Sequence, residues 1–233
     1  MLTRVLLAVL LCGMAAGLAM GVMQHFRLTP LILQAETFEH AGAGHSHGTT
    51  TTETPAQESA SAEWAPQDGT ERTLYTFAAS ILASAGFAAL LAGAALMTGK
   101  TITRKSGWLW GICGFIAVSL APAVGLAPEL PGMPAADLFA RQIWWLFTIA
   151  ATASALWLLA FKRESWAVAL ALLLVIVPHI IGAPQPTEHE SGVPAALASQ
   201  FVGASLGANA AMWLLIGILL GYVLPKAEAA GAH

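Results

Sequence analysis

Five residues of metal-ligating type fall within twelve positions: Glu36, Glu39, His40, His45 and His47, the last four inside the stretch EHAGAGHSHG. Neutral imidazole suits borderline dications such as Co, Ni, Zn and Cu. His45 and His47 are two apart, so an extended backbone turns both to one side. Glu36 and His40 are four apart, so a helix stacks them. The Gly and Ala between them cannot pack, so ligation here would be weak and reversible, unlike the closed shell of a structural zinc centre. The bland alternative is a solvated loop. Elsewhere, His25 follows Gln24, and His179 sits in VPHIIGAPQP, where Pro178 removes a backbone donor and opens a helix. Ser205 and Asn209 are one helical turn apart and share a face. The thioethers of Met20 and Met23 are soft enough for copper(I), but at helix spacing they read first as packing.

The elements that position these groups follow from composition. The chain has 233 residues, of which 57% are hydrophobic and 10% charged. With a mean hydropathy of +0.69, it falls far from soluble domains, which carry roughly 25% charged residues. Six apolar runs approach the roughly 20 residues that cross a bilayer. They are Val5 to Gln24, Leu74 to Met97, Trp108 to Leu126, Ile143 to Phe161, Trp166 to Ile181 and Phe201 to Leu224. Lipid supplies no hydrogen-bond partners to the backbone, so each span must be helical. The expected fold is all-α, a polytopic bundle of six transmembrane helices. The first run begins like a signal peptide, but it is apolar for too long and lacks a clean small-x-small site. It is expected to remain as a helix; cleavage would leave five.

Sidedness follows Lys and Arg in the short connections. Arg4, Lys100, Arg104, Lys105, Lys162, Arg163 and Lys226 fall on one side, and Arg27, Arg72 and Arg141 on the other. Eleven of the 13 acids lie with the smaller basic set. Both termini are therefore expected in the cytoplasm, and the histidine segment outside. The organisation is then a first transmembrane helix over 1–26, an external loop over 27–73, a five-helix bundle over 74–224 and a cytoplasmic tail over 225–233. Within the loop, LTPLILQAETFEH fits a short amphipathic helix started by Thr29 or Pro30. The polar stretch after it, in which Trp64 is a candidate for contact with the membrane interface, lacks the apolar surface to order itself. The link FKRE is short enough to force a tight hairpin between the fourth and fifth spans.

Several classes are excluded or disfavoured. A net charge of −3 argues against nucleic acid, which needs a concentrated basic face. Cys12 and Cys113 lie in apolar runs and read as packing residues. No GxxxxGK[ST], HExxH or GxSxG occurs, so neither ATP hydrolysis nor these hydrolytic chemistries are indicated, and the chain is not expected to be an enzyme. Small residues recur every four positions at Gly13, Gly17 and Gly21, and again at Gly203, Gly207 and Ala211, followed by Gly217 and Gly221. Such stripes let helix backbones approach closely, within the bundle or between copies.

The segments GMAAGLAMGVMQ, LTPLILQAETFE and PHIIGAPQP, with the histidine-containing loop and the closing helix, resemble the CbtA family of probable cobalt-transporter subunits. The resemblance implies uptake of Co²⁺ for cobalamin synthesis, across a bacterial inner membrane. It also implies a partner, CbtB, a small single-span protein with a histidine-rich end. Family members are described with five spans, against the six counted here. Carried onto this chain, the positions at stake are Glu36, Glu39, His40, His45, His47 and His179. With His25 they make up the expected metal ligands, and Gln24, Ser205 and Asn209 the expected pathway; the ion is cargo, and no permanently bound cofactor is expected. Two other readings use the same residues. One is a non-transporting assembly or sensor subunit that binds metal; the other is a b-type haem protein with His25 and His179 as axial ligands.

Overall fold

The computed structural model describes residues 2–43, 66–187 and 190–229, with side chains except at 39–43 and 226–229. Every regular element among them is helical. Helix α1 (Leu2–Met23) passes through a π-turn (Gln24–Leu28) directly into α2 (Thr29–Ala43). Then come α3 (Thr70–Met97), α4 (Gly107–Phe115), a second π-turn (Ile116–Leu120) and α5 (Ala121–Ala123). The chain closes with α6 (Leu138–Phe161), α7 (Ser165–Ile181) and α8 (Ala195–Ala229).

Four stretches are long and apolar enough to cross a membrane: Leu2–Phe38, Thr70–Met97, Leu138–Phe161 and Ala195–Pro225. Two shorter apolar helices, Gly107–Ala123 and Ser165–Ile181, coincide with the third and fifth expected spans. At 17 residues each, they sit at the lower limit of what spans roughly 30 Å of hydrocarbon. The helix expected over residues 28–40 is present, but it is no separate element. It continues α1, so Leu2–Phe38 forms 37 residues of helix, about 55 Å at 1.5 Å per residue. That is nearly twice the thickness of a bilayer core, so one end of α1–α2 projects beyond it.

Four helices form the main bundle. Helix α1 packs antiparallel on α3, both touch α8, and α4 packs closely on α8 as well. Glycine sets the α1–α3 approach. A Cβ at Gly13 would lie 2.5 Å from Ala85 Cα, and one at Gly17 2.5 Å from Ile81 Cα. The α4–α8 crossing is closer still: a Cβ at Gly107 would meet the Gly217 carbonyl at 2.3 Å. Trp213, fully buried, fills the centre of the bundle. It stacks obliquely on Phe87 at 4.9 Å, and its Nε1 donates to Ser119 Oγ at 3.2 Å.

Helices α6 and α7 make a second packing group. Their hairpin turns over Lys162–Glu164, as the FKRE link demands, around a small core of Ala155, Leu158, Ala167 and Ala171. It joins the bundle through α5 and the second π-turn. Pro178 lies in the last turn of α7, and Trp144 Nε1 on α6 donates to its carbonyl at 3.1 Å, tying the hairpin at that end. Trp144→Phe removes that donor inside a buried contact. It should cost about 1 kcal/mol, visible as a lower thermal midpoint of detergent-solubilised protein with no change in helix content.

Candidate functional site

Helix α3 carries Thr76, Ser80 and Ser84 at four-residue spacing, so three hydroxyls lie along one face. Across from them, α1, the π-turn after it and α2 present Met20, Gln24, Leu28 and Ile32. In a regular α-helix a four-residue stripe drifts about 40° per step. The π-turn at Gln24–Leu28 inserts the extra residue that winds the drift back, so all four face one space. Thr29 stabilises the turn, its Oγ1 donating to the Gln24 carbonyl at 3.1 Å. Helix α8 closes the third side with Phe201, Asn209 and Met212.

Between the three helices is a cavity of about 480 Å³. It runs from Met20, Ser84 and Met212 inside the bundle to Thr29, Ile32 and Arg72 at the end from which α2 projects. Its walls are apolar with neutral polar groups set in them. Ser80 Oγ donates to Gln24 Oε1 at 2.7 Å and is also within 2.7 Å of the Thr76 carbonyl. Asn209 Nδ2 donates to the Ser205 carbonyl at 2.9 Å. Ser84 Oγ lies 3.1 Å from Met212 Sδ. Ser205 Oγ, one turn from Asn209, is buried without a hydrogen-bond partner among the described residues.

Among the described residues, Arg72 is the only charged side chain on the cavity wall. Its guanidinium grips Glu36 of α2 with both terminal nitrogens, Nη1 to Oε2 measuring 3.1 Å, and reaches Asp68 Oδ1 at 2.8 Å. Both carboxylates therefore lean on one cation at the cavity mouth. This ion pair spans the base of the segment that carries the loop histidines, from α2 before it to α3 after it.

Of the residues anticipated from sequence, Gln24 and Asn209 both line the cavity, and Ser205 lies one turn from Asn209. Glu36 lies at its mouth, engaged by Arg72. His25 is exposed on the first π-turn, edge-on to Phe26 at 5.0 Å. His179 is half-buried against Trp144 at 5.9 Å. The two imidazoles belong to different packing groups, since the π-turn packs on α2, α3 and α8 while α7 packs on α6. The side chains of Glu39 and His40, and residues His45, His47 and Trp64, lie outside the described residues. Among the described residues, no group of three or more His, Cys, Asp or Glu side chains is arranged to hold a metal ion.

The cavity also includes residues that sequence reasoning missed: Thr76, Ser80, Ser84, Met212 and Arg72. A signal for three of them was present, the hydroxyl stripe of α3 opposite the glycine stripe of α1. Comparison with known proteins adds one finding. A family described as "Probable cobalt transporter subunit (CbtA)" matches residues 2–225. No curated protein and no solved structure matches the chain.

Proposed function

Because the chain belongs to the CbtA family of probable cobalt transporter subunits, we propose that it is the multi-pass subunit of an uptake system for a transition-metal dication. In this reading the ion is Co²⁺, the membrane is a bacterial inner membrane with both termini cytoplasmic, and the product is cobalt for cobalamin synthesis. The observation that carries the reading is the cavity among α1, α3 and α8, lined by carboxamides and hydroxyls and reaching toward the projecting end of α1–α2.

The outer segment supplies the first ligands, His40, His45 and His47 with Glu39, where weak imidazole ligation suits an ion that must be released again. Gln24, Asn209 and the α3 hydroxyls then stand in for part of its water shell, as neutral oxygens do in other ion pathways. The membrane potential provides the drive. A dication moving across 100 mV gains about 4.6 kcal/mol, on the order of a thousandfold accumulation at equilibrium.

Isotope uptake by a cobalt-starved host tests the scheme. Deleting residues 39–48 should raise the half-saturating Co²⁺ concentration several-fold and spare the maximal rate. Asn209→Ala should do the reverse, lowering the rate at all concentrations. Unchanged uptake in both variants, or protease shaving that reaches the histidine segment only from the cytosol, would overturn the proposal. His179→Ala serves as the probe of the α6–α7 hairpin: normal transport would remove it from the path.

A transporter subunit works with another chain, and a small single-span, histidine-tailed protein is the partner proposed here. The open stripe of Gly203, Gly207 and Ala211 on α8 offers such a helix a close approach; at both glycines nothing lies within 4 Å of an added Cβ. Gly207→Leu should reduce co-purification of the partner at least roughly fivefold while leaving the bundle folded. Undiminished co-purification would assign that face to lipid.

A further inference from the structure

We propose that the inner end of the cavity is a binding site for a soft monovalent cation, of the Cu⁺ or Ag⁺ class. The ligands are the thioethers of Met20 and Met212, with the Asn209 carboxamide oxygen and the Ser84 hydroxyl. The site itself stands apart from the cobalt reading; only its consequence for cobalt uptake rests on that reading.

Three features carry the assignment. First, two thioethers from different helices, α1 and α8, meet the same cavity although both residues are almost wholly buried, at 5% and 2% exposure. Second, the groups around them are oriented. A hydroxyl side chain on a helix ordinarily donates to the carbonyl one turn back, as Thr76 does to Arg72 at 2.8 Å. Ser84 Oγ instead lies 3.1 Å from Met212 Sδ, which fixes sulfur and hydroxyl relative to each other at the wall. Asn209 lines the cavity and spends its amide nitrogen on the Ser205 carbonyl, so its oxygen is the atom left to act as a ligand. Third, among the described residues no carboxylate or imidazole lines the cavity, and its one cation, Arg72, is at the opposite end.

This donor set selects by charge and by softness. The cost of burying an ion grows with the square of its charge, so neutral donors that can hold a monovalent ion fall well short for a resident dication. Thioether sulfur is soft and polarisable, and prefers Cu⁺ and its silver analogue to the harder first-row dications. A dication crossing this space would pass without lodging; a soft monovalent ion would stay. Silver should therefore block cobalt uptake from inside the cavity.

The test uses Ag⁺ as the probe on the purified full-length chain. The background carries Cys12→Ala and Cys113→Ala, together with His40→Ala, His45→Ala and His47→Ala, so that thiols and loop imidazoles do not compete. Titration should show one Ag⁺ per chain, and Met20→Leu with Met212→Leu should weaken it at least tenfold. Met14→Leu, at an exposed position, should leave it unchanged. Leucine nearly conserves the volume of methionine, so the fold should survive. Should the double variant not fold, X-ray absorption at the silver edge on the background protein decides alone: sulfur neighbours support the site, and a shell of nitrogen and oxygen overturns it. Equal affinity in the folded double-leucine variant also overturns it. Methionine-dependent silver binding in a protein that moves no cobalt would sink the permease reading and leave this site standing.

Discussion

Gly217→Val should leave little folded protein to recover. A Cβ at this position would lie 2.2 Å from the Gly107 carbonyl oxygen and 2.6 Å from the Gly111 amide nitrogen, both backbone atoms that no rotamer change can move. Helices α4 and α8 would have to separate, and their crossing is what brackets Trp213, whose ring fills the space a Cβ at Gly114 would take, 2.4 Å away. In lipid, helix association depends on such close packing because no hydrophobic force drives it. Overpacking against backbone should exceed the ordinary 1–3 kcal/mol or so of a crowded core. Fluorescence-detected size-exclusion of the solubilised protein should show no monodisperse peak. Gly207→Ala is the matched control, for it introduces the same atom into open space. It should match the wild type or gain slightly in thermal midpoint, as alanine favours a helix over glycine by up to about 1 kcal/mol. A normal peak and midpoint for Gly217→Val would contradict the α4–α8 crossing.

Glu36→Gln should cut cobalt uptake at least tenfold, and adding Arg72→Gln should restore most of it. The wild-type guanidinium at the cavity mouth is held by two carboxylates, one bidentate. Neutralising Glu36 leaves Asp68, three-quarters exposed, as its only remaining partner in this triad. An approaching dication roughly 8 Å away would then meet a repulsion of up to about 4 kcal/mol at an effective dielectric of 20, reduced by Asp68 and by salt. Removing both charges removes the repulsion and the need for its partner. The double variant therefore separates two roles for Glu36. Recovery means that the carboxylate serves by neutralising Arg72. A double variant as poor as the single one means that Glu36 itself ligates the ion, as its spacing from His40 suggests. Steady-state uptake at low and high ionic strength reads the difference, since the electrostatic defect should shrink with salt.

Membrane class, helical fold and the approximate limits of the apolar helices are legible in the chain's residues alone. Each of these follows from local composition: an apolar run in lipid has no hydrogen-bonding alternative to a helix. The tight α6–α7 hairpin was legible for a similar reason, because three residues between helix ends permit nothing else. Gln24, Ser205 and Asn209 could be nominated as polar groups in apolar surroundings. What they face could not, for that depends on residues far away along the chain. Glu36 meets Arg72 across 36 positions, and Ser84 meets Met212 across 128. The two glycine stripes of α8 look alike as sequence, yet Gly217 and Gly221 are closed by α4 and the turn before it, while Gly203 and Gly207 stand open. These pairings were set by the packing of the helices in space. A spacing rule says which residues share a helix face, whereas the partner of that face depends on how three helices cross. Here that crossing also required a π-turn, one extra residue of winding, to bring Met20, Gln24, Leu28 and Ile32 onto a single wall.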